Sequence, residues 1–129
     1  MRLADNLYTL IHADEEALSY QIRLRRDCII YQAHFPGEPI TPGVCIAQIA
    51  KELMERHEGK PFEIEKVKNV RFYSVLSPVE SEEAEFNFSH LEETEDASSL
   101  SVRVSVTAHG EEKAKLSFTL GALKKGEGA

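Results

Sequence analysis

From Ala84 to Leu120 apolar residues fall on every second position: Ala84, Phe86 and Phe88, then Leu100, Val102, Val104 and Val106, then Ala114, Leu116, Phe118 and Leu120. A period of two belongs to a strand with one face in a core and the other in water, so three half-buried strands are predicted. The polar stretches from Glu92 to Ser99 and from Ala108 to Glu112 read as the hairpin connections between them. Leu18, Tyr20, Ile22 and Leu24 alternate in the same way, Tyr8 to His12 reads as a short first strand, and residues 62 to 73 read as a longer, less regular one. Only one segment carries a helical pattern. Between Pro42 and about Glu58, Val44, Cys45, Ile46, Ile49, Ala50, Leu53 and Met54 cover a face broad enough for a helix buried on most sides, and Gly59 and Pro61 stop it. The tail from 118 to 129 is expected to fray.

One buried helix between early strands and a run of antiparallel hairpins predicts an α+β protein whose sheet wraps a single helix. With 129 residues the chain fits one domain, 1–129, that can bury a core without metal or disulfide staples. The net charge of −7 leaves no domain-wide positive field with which to bind nucleic acid. It also opposes an acidic protein partner, although charge is uneven: Arg23, Arg25 and Arg26 cluster near the second strand, while Glu80, Glu82, Glu83, Glu85, Glu92, Glu93, Glu95 and Asp96 crowd one hairpin. Both clusters read first as solvated surface. Cys28 and Cys45 have neither metal nor disulfide spacing and read as reduced thiols, Cys45 as a small apolar side chain. His12, His57, His90 and His109 share no metal-ligand spacing. No apolar run approaches a signal peptide or a membrane span, which predicts a cytoplasmic protein.

The chemistry concentrates in residues 34 to 50, His34-Phe35-Pro36-Gly37-Glu38-Pro39-Ile40-Thr41-Pro42-Gly43-Val44-Cys45-Ile46-Ala47-Gln48-Ile49-Ala50. Pro36, Pro39 and Pro42 fix φ and push their predecessors extended, so His34 is presented by a stiff loop. Thr41 is suited to cap the helix, Pro42 to its first position, and Gly43 to close approach of another molecule at the helix's positive end. A histidine beside exposed helix N-terminal N–H groups is a base next to an anion-stabilising site.

This segment resembles the signature of the hot-dog-fold β-hydroxyacyl-acyl-carrier-protein dehydratases, His-Phe-Pro-Gly-x-Pro-(Ile/Val)-x-Pro-Gly ahead of the central helix. His34, Phe35, Pro36, Gly37, Pro39, Ile40, Pro42 and Gly43 match it without a gap. Val70-Arg71-Phe72 with Pro78 resembles the strand and turn that follow the helix, and His109-Gly110-Glu111 resembles the last hairpin. Two departures stand out. Where the family carries Glu or Asp, fourteen residues after the histidine, this chain has Gln48. The longer opening segment of the housekeeping enzymes, with its His-Arg-Tyr-Pro-Phe-Leu-like run, is expected to be missing. Short proteins of this kind are similar to those of aryl-polyene and flexirubin pigment pathways.

The resemblance implies a hot-dog fold, an acyl carrier protein as partner, no metal and no dissociable cofactor. It also implies a homodimer in which the histidine of one subunit faces the helix of the other. His34 is then the base that takes the α-proton of a 3-hydroxyacyl thioester, and N–H groups of Gly43 and Val44 hold the developing enolate oxygen. Gln48 stands at the acid position and Phe35 beside the substrate, while Tyr31 lines an acyl tunnel or belongs to the core. A glutamine amide has no proton to give up, so Gln48 is expected to orient the hydroxyl or a water. Glu52, one turn on, is about 6 Å of helix rise away and reads as a poor direct replacement. A hot-dog thioesterase and a non-catalytic acyl-binding subunit of a heteromeric dehydratase are the alternatives. Gln48 disfavours the first; it favours the second, against which an intact His34 counts.

Overall fold

The computed structural model describes residues 2–94 and 99–122. Its elements run β1 (Tyr8–Asp14), β2 (Ser19–Leu24), α1 (Ile29–Ala33), α2 (Gly43–Glu58), β3 (Phe62–Phe72), β4 (Glu83–Glu93), β5 (Ser99–Ala108) and β6 (Glu111–Ala122). The strands make one six-stranded sheet in the order β1-β2-β4-β5-β6-β3, antiparallel at every junction. The alternating residues of β2, β4, β5 and β6 point to one face and bury against Cys45, Ile46, Ile49, Ala50, Leu53 and Met54 of α2. This is the hot-dog arrangement, a sheet wrapped on one long helix.

Register shifts in β1, β3, β4 and along the β5–β6 pair bend the sheet around the helix, since each bulge raises local twist and curvature. Two of them lie in β3, at Ile64/Lys66 and Val67/Asn69, and they account for its irregular sequence pattern. With both bulges taken into register, Ile64, Val67, Val70 and Phe72 pair with Leu120, Phe118, Leu116 and Ala114 and share their core-side face. The β5–β6 hairpin closes through His109 and Gly110, both left-handed at φ 53 and 74. Position 110 therefore suits glycine.

Three expectations need correction. A short helix, α1, precedes the histidine loop; five residues containing two adjacent isoleucines carry no helical period to read. Pro42, with extended backbone, is the N-cap of α2 and Gly43 its first residue, so Thr41 lies outside the helix and caps nothing. Phe118 to Ala122 belong to β6, with Phe118 and Leu120 buried, so the expected fraying can concern only residues 123–129, which lie outside the described residues. At its other end α2 stops at Gly59, left-handed at φ 73, whose N–H bonds Glu55 O.

Candidate functional site

His34 ends α1, its N–H donating to Ile30 O at 2.9 Å while its own carbonyl accepts Ile40 N–H at 2.9 Å. Phe35 and Glu38 exchange main-chain hydrogen bonds at 3.1 and 3.0 Å across the turn between them. Thr41 N–H then ties the loop to Leu76 O at 2.8 Å, and the Thr41 hydroxyl meets the Tyr31 hydroxyl at 2.7 Å in a buried bond. The loop is thus closed on itself, on α1 and on the segment after β3. Phe35, about half exposed, stacks on the His34 ring at 4.1 Å between centroids.

A cavity of about 320 Å³ brings His34 together with Thr41, Gly43, Ile46, Phe72 and Tyr73. Gly43 stands in a close approach: a Cβ at this position would lie 2.7 Å from Phe72 Cζ, so a side chain here requires that ring to shift. Cys45 and Ile46 N–H donate to Pro42 O at 2.9 and 3.1 Å, and no side chain caps the α2 N-terminus, so the N–H groups of Gly43 and Val44 are not spent on a capping side chain. Helix N-termini of this kind attract developing negative charge. The wall opposite the helix is fixed by main-chain bonds from Tyr73 and Ser74 N–H to Lys113 O, at 2.9 and 3.4 Å. The buried Lys113 ammonium reaches Ser74 Oγ at 3.3 Å and lies 3.7 Å from Glu111.

Within one chain Gln48 lies elsewhere, along a groove with Arg2, Lys51, Glu52, Glu55 and Lys60. Its Nε2 donates to Glu52 Oε2 at 2.8 Å. Glu52 is only 5% exposed, and it also accepts Leu3 N–H at 2.7 Å, Ala4 N–H at 2.8 Å and Tyr8 OH at 3.0 Å. Burial first, and the Glu52 carboxylate second, push the Tyr8 phenol upward. Side chains at i and i+4 lean together, so Gln48 and Glu52 are directly bonded although a turn of helix separates them. Sequence reading missed the role of Glu52 because a carboxylate at a buried helical position looks like one on a solvated face. The sequence signal was the apolar set Ile49, Leu53 and Met54 around it.

Of the remaining candidates, Tyr31 is 2% exposed and belongs to the core, its hydroxyl pushed up to about 12 by burial. Val44 is 73% exposed at the start of α2. Cys45 is buried and its thiol pushed up by desolvation. Arg23 pairs with Glu83 at 3.4 Å, and Arg25 bonds Asp5 O at 2.6 Å and lies 3.8 Å from Asp27. His57 meets Glu15 at 2.9 Å and His90 meets Glu92 at 3.2 Å. Among the described residues no three of His, Cys, Asp and Glu gather in a way that could hold a metal ion, and no helix is long and apolar enough to cross a membrane.

Residues 10–127 match the model of a family described as ApeI-like, ApeI dehydratase. Among solved structures, the chain is similar to the dehydratase heterocomplex ApeI:P of Xenorhabdus doucetiae, at 17% identity and TM-score 0.64, over 88% of this chain and 96% of that one. An HP0420 homologue from Helicobacter felis superposes at TM-score 0.65 and 16% identity, over 95% of this chain and 93% of that one. A hypothetical thioesterase from Streptococcus pneumoniae, solved with coenzyme A, does so at 0.57 and 10% identity, over 90% and 85%. No curated protein matches the chain. At such identities the solved structures carry the fold, and the family follows from a match that spans both the histidine loop and every strand of the sheet but the start of the first: the chain belongs to the ApeI-like dehydratase family.

Proposed function

We propose that this protein eliminates water from a 3-hydroxyacyl thioester carried on an acyl carrier protein, giving the trans-2-enoyl thioester, in cytoplasmic fatty-acid or specialised polyene biosynthesis. The observation that carries this reading is the sharing of one cavity by His34 and the uncapped N-terminus of α2 at Gly43. His34 takes the C2 proton while negative charge gathers on the thioester oxygen, held by the N–H groups of Gly43 and Val44. The C2–C3 double bond forms as the C3–O bond breaks, and the proton leaves with the hydroxyl as water. Phe35 steadies the imidazole by stacking and flanks the acyl chain.

The reading includes a homodimer. Val67, Val70 and Phe72 lie on the core-side face of the edge strand β3, yet are 54, 37 and 53% exposed, which leaves an apolar strip for a second copy to cover. In that assembly Gln48 of one subunit approaches His34 of the other and orients the departing hydroxyl. The test is to supply a 3-hydroxyacyl carrier protein and identify the product. A carrier-bound enoyl chain supports dehydration, whereas a free acid with a bare carrier thiol replaces it with thioester hydrolysis.

A second reading has its own support. Gln48 has no proton to give and its amide is bonded to Glu52, which suits a subunit whose acid comes from a different hot-dog protein. The Xenorhabdus doucetiae dehydratase is a heterocomplex. Activity that appears only when a second hot-dog subunit is added would select this reading.

A further inference from the structure

Among the described residues Glu52 is a buried carboxylate without an ion pair. The cations of its groove lie against other groups: Arg2 and Lys51 against Glu55, at 4.0 and 3.3 Å, and Arg56 against Glu15 at 3.6 Å. Glu52 is held instead by four hydrogen bonds, Oε1 accepting from Ala4 N–H and Tyr8 OH, and Oε2 from Leu3 N–H and Gln48 Nε2. Taking a carboxylate out of water costs free energy even when it is well bonded, so an apolar side chain would serve the core better at this position.

What the carboxylate does is decide which way the Gln48 amide faces. A carboxylate only accepts, so the end of Gln48 that meets Oε2 at 2.8 Å is its NH2 group, and the carbonyl oxygen is turned away from Glu52. An amide at position 52 could not do this. Its own NH2 group would stand against Leu3 N–H or Ala4 N–H, and Gln48 could then bond it through either end. The main-chain donors of residues 3 and 4 and the Tyr8 hydroxyl thus keep an acceptor in place at Glu52, and the i,i+4 spacing on α2 keeps Gln48 within its reach. Gln48 is half-buried and lines the groove.

We propose that Glu52 is a positioning residue that acts through Gln48, turning the Gln48 carbonyl oxygen to the substrate so that the site accepts the O–H of a C3 hydroxyl. The inference rests on the dehydration proposed above and gives that reaction its proton route. A hydroxyl that donates to Gln48 leaves its oxygen lone pairs for another donor. His34, having taken the C2 proton, is that donor: the imidazolium proton moves to the C3 oxygen, the C3–O bond breaks with its electron pair, and water departs. Selectivity follows as well, since a 3-oxo or saturated chain has no O–H to donate at C3.

The test measures binding apart from chemistry. In His34→Ala protein, affinities for the 3-hydroxyacyl, 3-oxoacyl and saturated acyl N-acetylcysteamine thioesters are compared by NMR titration, first alone and then with Glu52→Gln or Tyr8→Phe added. The His34→Ala protein is expected to bind the 3-hydroxy chain about five-fold or more tightly than either of the others. Adding Glu52→Gln is expected to erase that preference. Tyr8→Phe removes a donor from the same carboxylate without letting Gln48 reverse, and is expected to keep it. Equal affinities in His34→Ala, or a preference that survives Glu52→Gln, overturn the proposal. A preference lost equally in Tyr8→Phe overturns it too, because Glu52 would then act only by holding the fold. If Glu52→Gln does not fold, Gln48→Met takes its place: the preference is expected to vanish, and its survival overturns the proposal. A hydroxyl preference in His34→Ala beside a native protein that forms no enoyl product leaves the role of Glu52 standing and removes the dehydratase reading.

Discussion

Gln48 and Glu52 are joined at 2.8 Å, and this changes what a carboxylate at position 48 would do. In Gln48→Glu two carboxyl groups face each other in a half-buried place, and the pair retains one proton to a higher pH than a solvated carboxyl does. A carboxyl whose folded-state pKa is raised binds its proton more tightly when folded. Its penalty is therefore absent at acid pH and grows as pH rises from the unfolded value through the folded one. Gln48→Glu is expected to melt progressively below the native protein as pH rises from the acid to the neutral range. Thermal denaturation across that range checks this; parallel profiles for the two proteins would mean that position 48 is not held against Glu52 in solution. The same shared proton is what a dehydratase needs at this position, so the variant couples a stability cost to a gain in acid character.

At the scale of elements, the histidine loop, α2 and β3 converge at one point, Gly43 under the Phe72 ring. Gly43→Val would drive its side chain into that ring and displace it from the cavity. Phe72 is half exposed and can swing away, so the expected cost in stability is small, about 1 kcal/mol, while turnover is expected to fall about 10²-fold as the valine side chain blocks the approach to the first N–H groups of α2. A variant with native turnover would show that the helix N-terminus does not hold the substrate.

How much of this was legible varies with the element. In β4, β5 and β6 the core lies on one side only, and alternation alone placed them. In β3 two bulges broke the alternation, so its length was readable but its exposed apolar strip was not. The start of α2 was misplaced because the Thr41 hydroxyl is used by Tyr31, a pairing across ten positions that no local capping rule contains. His34 and Gly43 could be picked from a fixed-spacing signature. The clamp on Glu52 could not, since three of its four donors come from residues 3 to 8, far along the chain.

For the whole molecule, the uncovered strip of Val67, Val70 and Phe72 is the feature a single chain leaves unresolved. Val67→Glu places a charge in that strip without touching the buried core, and is expected to shift a dimer to monomers in sedimentation while the far-UV spectrum of the fold persists. Loss of activity with dissociation is expected as well, because the proposed site borrows Gln48 from the second subunit. A native protein that is monomeric and active at micromolar concentration would contradict both.

The central claim is that His34 performs the proton transfer of a dehydration, and a single variant tests it most directly. His34→Ala leaves the main-chain bonds of the loop available, and His34 is not among the buried core residues, so the fold is expected to persist. With a 3-hydroxyacyl carrier protein as substrate, and the carrier-bound chain weighed by mass spectrometry, the native protein is expected to yield the chain lighter by one water. The variant should leave it unchanged, with a turnover loss of about 10² or more. Native-level formation of the enoyl chain by a folded His34→Ala protein would contradict the account.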